Sequence, residues 1–255
     1  MTAADGGVSP RVRTAAVIAH RGASRDYPAN SLAAFARAID LGADMVELDV
    51  RRTRDDVLVV QHDARHRGLP ISRWTHAQLC SRPRRDGKRR GRLVGGAPPA
   101  LGEVVSLCSG RIALDIELKG EGDEADMFAI ALAQLTADAL VVTSFIDAVV
   151  TRCKQLHPEI RAGLLVASGR HGDGNRLTGV ALLDRATACG ADFIAPNHLL
   201  ATERFLQRAA QGGLPVVPWT VNRPKRLLRF LCDARVEAVV TDVPNVALEL
   251  RRNAS

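Results

Sequence analysis

The chain has 255 residues, a mass of 27.4 kDa and a formal net charge of +7 at pH 7. Its 46% apolar and 25% charged residues exclude a disordered, collagenous or coiled-coil protein. No apolar run approaches the roughly 18 residues that a membrane span needs.

The opening segment is polar and contains Asp5, Gly6, Gly7 and Pro10. It reads as a disordered leader over residues 1–14, and its lack of an apolar stretch points to a cytoplasmic protein. From residue 15 to 255 the pattern is that of one domain. Strands are expected at 15–19, 45–50, 112–118, 140–144, 163–167, 192–195, 215–220 and 238–241, where β-branched and apolar residues concentrate. Amphipathic stretches fit between most of them. The first helix is expected to start at a Ser31 cap and stop at Gly42, burying Leu32, Phe35, Ala36 and Ile39. Further helices are expected at 147–155, 181–189, 203–210 and 224–232, the last with Pro224 in its first turn. Eight βα units in series predict an α/β fold of the (β/α)8 TIM-barrel type. A doubly wound sheet is the alternative, but no G-x-G-x-x-G follows the first strand.

Between the second and third strands lies a small insertion over about residues 57–100, longer than an ordinary connection. It holds a strand-like piece at 57–61 and a basic run from Arg82 to Arg92. Such a run suits nucleic acid or anionic lipid heads. No aromatic residues interleave with the charges, so a solvated loop is the simpler expectation and no nucleic-acid partner is inferred. Contact with a membrane surface stays open. Arginine supplies 31 of the 35 basic residues, and a general positive field favours an anionic substrate. The five cysteines are scattered without a C-x-x-C pair and are expected to be reduced and mostly packed.

Ionisable residues inside strands carry the chemistry. Glu47 and Asp49 are two apart, so the strand period puts both on one face, opposite Val46, Leu48 and Val50. Two adjacent carboxylates repel unless one is protonated or a cation lies between them. A hard divalent ion, Mg²⁺ or Ca²⁺, meets that need with oxygen ligands. Asp115, Glu117 and Lys119 repeat the pattern on the third strand, with a buried Glu117–Lys119 salt bridge as the purely structural alternative. The first strand runs into His20-Arg21-Gly22, where Gly22 permits a tight turn, Arg21 offers a planar fork for phosphate oxygens and His20 can exchange a proton. His62-Asp63 supplies a second imidazole with a carboxylate beside it. Together these residues suit phosphoryl-ester hydrolysis.

The ordered set His20-Arg21-Gly22, Pro28-Ala29-Asn30-Ser31, the segment from Gly42 to Val50, Val60-Gln61-His62-Asp63 and Leu114 to Lys119 resembles the glycerophosphodiester phosphodiesterase family. The resemblance continues through Thr143-Ser144-Phe145, the segment from Val217 to Asn222 and that from Val240 to Pro244, covering nearly the whole chain. It implies a TIM barrel that hydrolyses a small-molecule glycerophosphodiester to sn-glycerol 3-phosphate and an alcohol with a divalent metal ion. It also implies Glu47, Asp49 and Glu117 as metal ligands, His20 and His62 as acid and base, and Arg21 and Lys119 as phosphate holders. Trp219 becomes a wall of the substrate pocket. The sequence departs from the family at Ala29, where glutamate is common, and at Asp56, where glycine is common. Residues 64–92 are shortened and rich in arginine, which leaves substrate preference open. A relative acting on lysophospholipids or sphingolipids is one alternative, and a phosphate-ligand binding module without turnover is another. Neither the order of the two histidines nor the attacking group, water or the substrate's own hydroxyl, follows from the sequence.

Overall fold

The computed structural model describes residues 14–89, 92–167 and 179–254, with backbone only over 84–89 and 92–94. The expected leader falls outside this range apart from residue 14, as do Arg90 and Gly91 of the basic run.

Strand β1 (Ala16–His20) leads through a turn into helix α1 (Leu32–Leu41), and β2 (Met45–Arg52) follows. Next come β3 (Leu58–Val60), the hairpin of β4 (Arg65–His66) with β5 (Leu69–Pro70), and α2 (His76–Ser81). β6 (Arg84–Arg89) pairs antiparallel with β7 (Arg92–Gly96), so the described part of the basic run at 84–89 is a strand rather than the loop expected from its charge. Helix α3 (Leu101–Cys108) returns the chain to the sheet. The regular alternation then resumes with β8 (Ala113–Leu118), α4 (Glu124–Leu132), β9 (Leu140–Ser144), α5 (Asp147–Leu156), β10 (Arg161–Val166) and α6 (Gly179–Ala188). It closes with β11 (Phe193–Pro196), α7 (Glu203–Gln211), α8 (Pro224–Leu231), β12 (Ala238–Thr241) and α9 (Pro244–Ala254).

Seven of these strands form a parallel sheet in the order β11-β10-β9-β8-β2-β1-β12, with β3 antiparallel to β2. The expected strand at 215–220 is not a strand. Single parallel bridges link Val216 to Ile194 and to Val236, and Trp219 to Asn197. The reason lies in Pro215 and Pro218, which have no N–H to give to a ladder and so break continuous pairing.

Each strand is two-sided. Outward residues such as Val46, Leu48, Val50, Leu114, Ile116 and Leu164 pack against the helices in the large core. Inward residues Ile18, Val141, Leu165, Phe193, Val217 and Val240 form a second, separate cluster. Phe193 fits there because Gly163 has no Cβ; one added at Gly163 would meet the Phe193 ring at 2.2 Å. A satellite core of Val59, Ile71, Trp74 and Leu79 sits under the segment between β2 and β8. Buried Cys108, Cys153 and Cys189 and exposed Cys80 and Cys232 are all free thiols. Among the described residues, no helix is long and apolar enough to cross a membrane.

Helix α1 starts as its sequence predicts: Ser31 Oγ accepts from Ala34 N, and Gly42 ends it in the left-handed region. Phe35 is buried and Ile39 packs against the core as expected, but Ala34 and Ala38 complete the buried face in place of Ala36, and Leu32 is exposed. The turn after β1 explains this shift. Gly22, at φ +77°, lies so close that an added Cβ would meet the Ala34 carbonyl carbon at 2.5 Å. Gly22→Ala therefore combines an unfavourable φ with a backbone clash, and it is expected to lower stability by about 3 kcal/mol in urea unfolding. A loss below about 1 kcal/mol would show that the turn relaxes freely.

Candidate active site

The polar residues of the inner faces meet at the C-terminal ends of β1, β2 and β8. Register places His20 beside Glu47, Glu47 beside Asp115 and Asp49 beside Glu117. A pocket of about 210 Å³ opens there. Its lining includes seven of the eight residues singled out from sequence: His20, Arg21, Glu47, His62, Glu117, Lys119 and Trp219. The eighth, Asp49, lies beneath it with no exposed surface.

Asp49 is the hub of the charged groups. Arg21 Nε lies 2.9 Å from its Oδ2 and Lys119 Nζ 2.7 Å from its Oδ1. Asn30 Nδ2 donates to Oδ2 at 2.7 Å, a contact made with Asn30 at φ 61°, a conformation asparagine tolerates. Arg21 shares that left-handed backbone region, which aims its N–H at Glu47 Oε2, 3.0 Å away. Burial alone would raise the Asp49 pKa, but Arg21 and Lys119 outweigh it and hold the carboxyl well below the ordinary range. Burial and the negative charge of Asp49 push the neighbouring carboxyls the other way: Glu47 well upward and Glu117 to about 7. Asp115, which accepts from Thr143 Oγ1 at 2.8 Å, is likewise raised by burial to about 7. Lys119 also pairs with Glu117, so the salt bridge considered from sequence is present within the same cluster. Burial pulls the ammonium down, yet Asp49 and Glu117 outweigh it and raise its pKa.

Glu47, Asp49 and Glu117 offer oxygens that all lie within 4.8 Å of one another. Glu47 Oε1 is buried without a hydrogen-bond partner among the described residues, an arrangement that costs energy unless a cation meets it. This donor set of hard oxygens fits a divalent ion such as Mg²⁺ or Ca²⁺.

The two imidazoles differ in setting. His20 is buried, and its Nδ1 lies 2.7 Å from Asp242 Oδ1. Asn222 Nδ2 and Ser24 Oγ also donate to Asp242, while Asp242 N donates back to Asn222 Oδ1. A carboxylate surrounded by donors is an acceptor, so Nδ1 carries a proton toward Asp242, and Nε2 lies 3.7 Å from Glu47 Oε2. His62 is half-exposed, with Nδ1 2.9 Å from Asp63 Oδ1. Burial lowers the pKa of His62, and the positive charge of Arg21 adds to that, against a raising effect from Asp49.

The opposite side of the pocket is apolar: Leu165, Ala195, Val217 and Val240 line it below Trp219. Trp219 Nε1 donates to Ala195 O at 2.7 Å, and Phe145 stands edge-on to its ring at 5.5 Å. Asn30, Phe145, Asn222 and Asp242 fall within the motifs that resemble the family, but no local pattern marks a role for them. No spacing rule joins His20 to Asp242 across 222 residues.

Two imidazoles, a carboxylate triad suited to a cation and two fixed cations thus meet at the strand ends of a parallel α/β sheet. The chain belongs to the glycerophosphoryl diester phosphodiesterase family, whose profile matches residues 20–246. It is 28% identical over 251 residues to a glycerophosphodiester phosphodiesterase of Caldanaerobacter subterraneus subsp. tengcongensis, covering 92% of this chain and 97% of that one. In fold it is similar to a glycerophosphodiester phosphodiesterase from Thermotoga maritima, with a TM-score of 0.73, 23% identity, and 93% and 98% of the two chains covered. It is also similar to an Oleispira antarctica phosphodiesterase in complex with its product sn-glycerol-3-phosphate, with a TM-score of 0.76, 22% identity, and 93% and 96% coverage.

Proposed function

We propose that this protein hydrolyses glycerophosphodiesters to sn-glycerol 3-phosphate and an alcohol, and that it does so on a single (β/α)8 barrel domain over 15–255 with an insertion at about 57–100. One observation carries the reading: the two histidines, three carboxylates, Arg21 and Lys119 of the family's motifs converge on one pocket. The bridges at Val216 support barrel closure between β11 and the segment before β12.

Glu47, Asp49 and Glu117 would hold the divalent ion, and Glu47 Oε1 is a buried oxygen with no hydrogen bond among the described residues. When bound, such an ion supplies positive charge to phosphate oxygens and polarises the ester. Arg21 and Lys119, which also line the pocket, would hold the phosphate, their charges offsetting what develops on its oxygens. His20 Nε2, kept as a lone pair by the Asp242 contact, takes the proton of the attacking oxygen. The resulting imidazolium is stabilised by the buried Asp242 carboxylate. His62, at the open rim, gives a proton to the departing alkoxide where the alcohol can leave to solvent. Trp219 and the apolar wall exclude water from one side of the ester.

The direct test is release of glycerol 3-phosphate from glycerophosphocholine, with EDTA and then with Mg²⁺ or Ca²⁺ restored. Release that stops with EDTA and returns with one ion is expected. Tight binding of the diester without product would instead identify a binding module.

A further inference from the structure

Arg51 continues the inward series Glu47, Asp49, Arg51 along β2, one step nearer the mouth. It differs sharply from its neighbour Arg52, which is paired with Asp123 and Asp126 at 2.7 Å each and with Asp56 at 3.8 Å. Arg51 Nε donates to His62 O at 2.8 Å, and the two Nη groups have no hydrogen bond or ion pair among the described residues. The side chain is half-buried, and Asp49, Glu117 and Asp63 act on it only at longer range, so its Nη donors have no protein counter-ion in contact among the described residues. Such a group has a use if a ligand brings the anion.

Arg51 does not line the main pocket. It lines a second cleft of about 330 Å³, with Ile71, Ser72, Gly120 and Gly122, and this cleft shares Lys119 with the main pocket. Asp123 on the same cleft is neutralised by Arg52, and Glu121 is exposed to solvent. A phosphodiester with its phosphate at Lys119 and its glycerol in the pocket thus has a natural course for its other arm. That arm runs over Lys119 toward Arg51, and the space is that of a small ligand site.

We infer that the second cleft receives the leaving alcohol and that Arg51 selects alcohols bearing an anionic group, a carboxylate above all; this inference rests on the glycerophosphodiesterase reading. A planar guanidinium with two free Nη groups matches a carboxylate in a paired, two-bond contact. Glu121 can meet an ammonium on the same alcohol but does not distinguish alcohols that all carry one.

Glycerophosphoserine and glycerophosphoethanolamine differ by that single carboxylate, so the ratio of their kcat/KM values reads the contact alone. The wild-type protein is expected to favour glycerophosphoserine by about tenfold, the worth of one partly screened charged contact. In Arg51→Gln the ratio is expected to fall close to one, and in Arg51→Lys, which keeps charge but not the fork, to an intermediate value. Arg51→Met provides a second removal of the charge should the Gln variant fail to fold. A wild-type ratio near one would overturn the inference. So would an equal loss of turnover on both diesters in Arg51→Gln, since that is what a residue merely positioning the His62 carbonyl would produce. Absence of turnover on either diester with any ion would overturn the functional reading and this inference with it, whereas equal turnover of both overturns the inference alone.

Discussion

His20→Ala is expected to lower turnover of glycerophosphodiesters by about 10²- to 10⁴-fold, the usual worth of a positioned acid or base, while the protein stays folded. Asp242 keeps Asn222 and Ser24 as donors in that variant, so no bare buried charge is created. The informative companion is Asp242→Asn. An asparagine amide can turn its NH2 toward His20 Nδ1, which moves the imidazole proton to Nε2 and removes the lone pair that faces the pocket. Loss of about ten- to a hundredfold in kcat is expected, with KM little changed, because Asp242 acts through His20 rather than on the substrate. Imidazole ¹⁵N shifts give a readout independent of activity: the wild type should show the Nδ1–H tautomer at His20 and the Asn variant should not. Full activity in Asp242→Asn would sink the assignment of His20 as the base held by Asp242. The contrast with His62 sharpens the test. Its partner Asp63 is adjacent in sequence and its ring is half-exposed, so Asp63→Asn should cost less than Asp242→Asn.

What could be seen in advance follows from how local each signal is. The period of two in β2 and β8 places Glu47 with Asp49 and Asp115 with Glu117 on one face without any tertiary knowledge, and the observed register agrees. The turn at Gly22 and the cap at Ser31 are equally local. The carboxylate hub at Asp49 is not, because it depends on Arg21, Asn30 and Lys119 arriving from three segments. The His20–Asp242 pair joins the two ends of the chain, where β12 closes against β1. Two structural expectations failed for opposite reasons. Residues 215–220 have the apolar content of a strand but carry Pro215 and Pro218, so only isolated bridges form. The basic run from Arg82 to Arg92 looks too charged for a strand, yet a ladder needs only backbone pairing, and β6 and β7 supply it over 84–89 and 92–96.

Mg²⁺ or Ca²⁺ is expected to raise the melting temperature more at pH 8 than at pH 5.5. In the ion-free protein Glu117 and Asp115 titrate at about 7, against about 4 for carboxyls in an unfolded chain. The folded state therefore binds more protons than the unfolded one between roughly pH 4 and 7, and its stability falls as pH rises through that window. For Glu117 alone this loss is on the order of 3 kcal/mol by pH 8. A divalent ion at the triad takes the place of those protons and restores the stability, so its effect grows across the same interval. Calorimetric titration in buffers of different ionisation enthalpy should show proton release on ion binding at pH 6 and less at pH 8. Glu47→Gln supplies the decisive control. Burial and the charge of Asp49 make an ionised Glu47 costly, so the neutral amide should melt higher than wild type in EDTA at pH 8. The same variant should lose most of the melting shift on adding the ion, so the two proteins are expected to exchange rank between EDTA and saturating cation. A cation effect that is equal at both pH values, or a Glu47→Gln protein that responds like wild type, would show that this carboxylate cluster does not hold the ion.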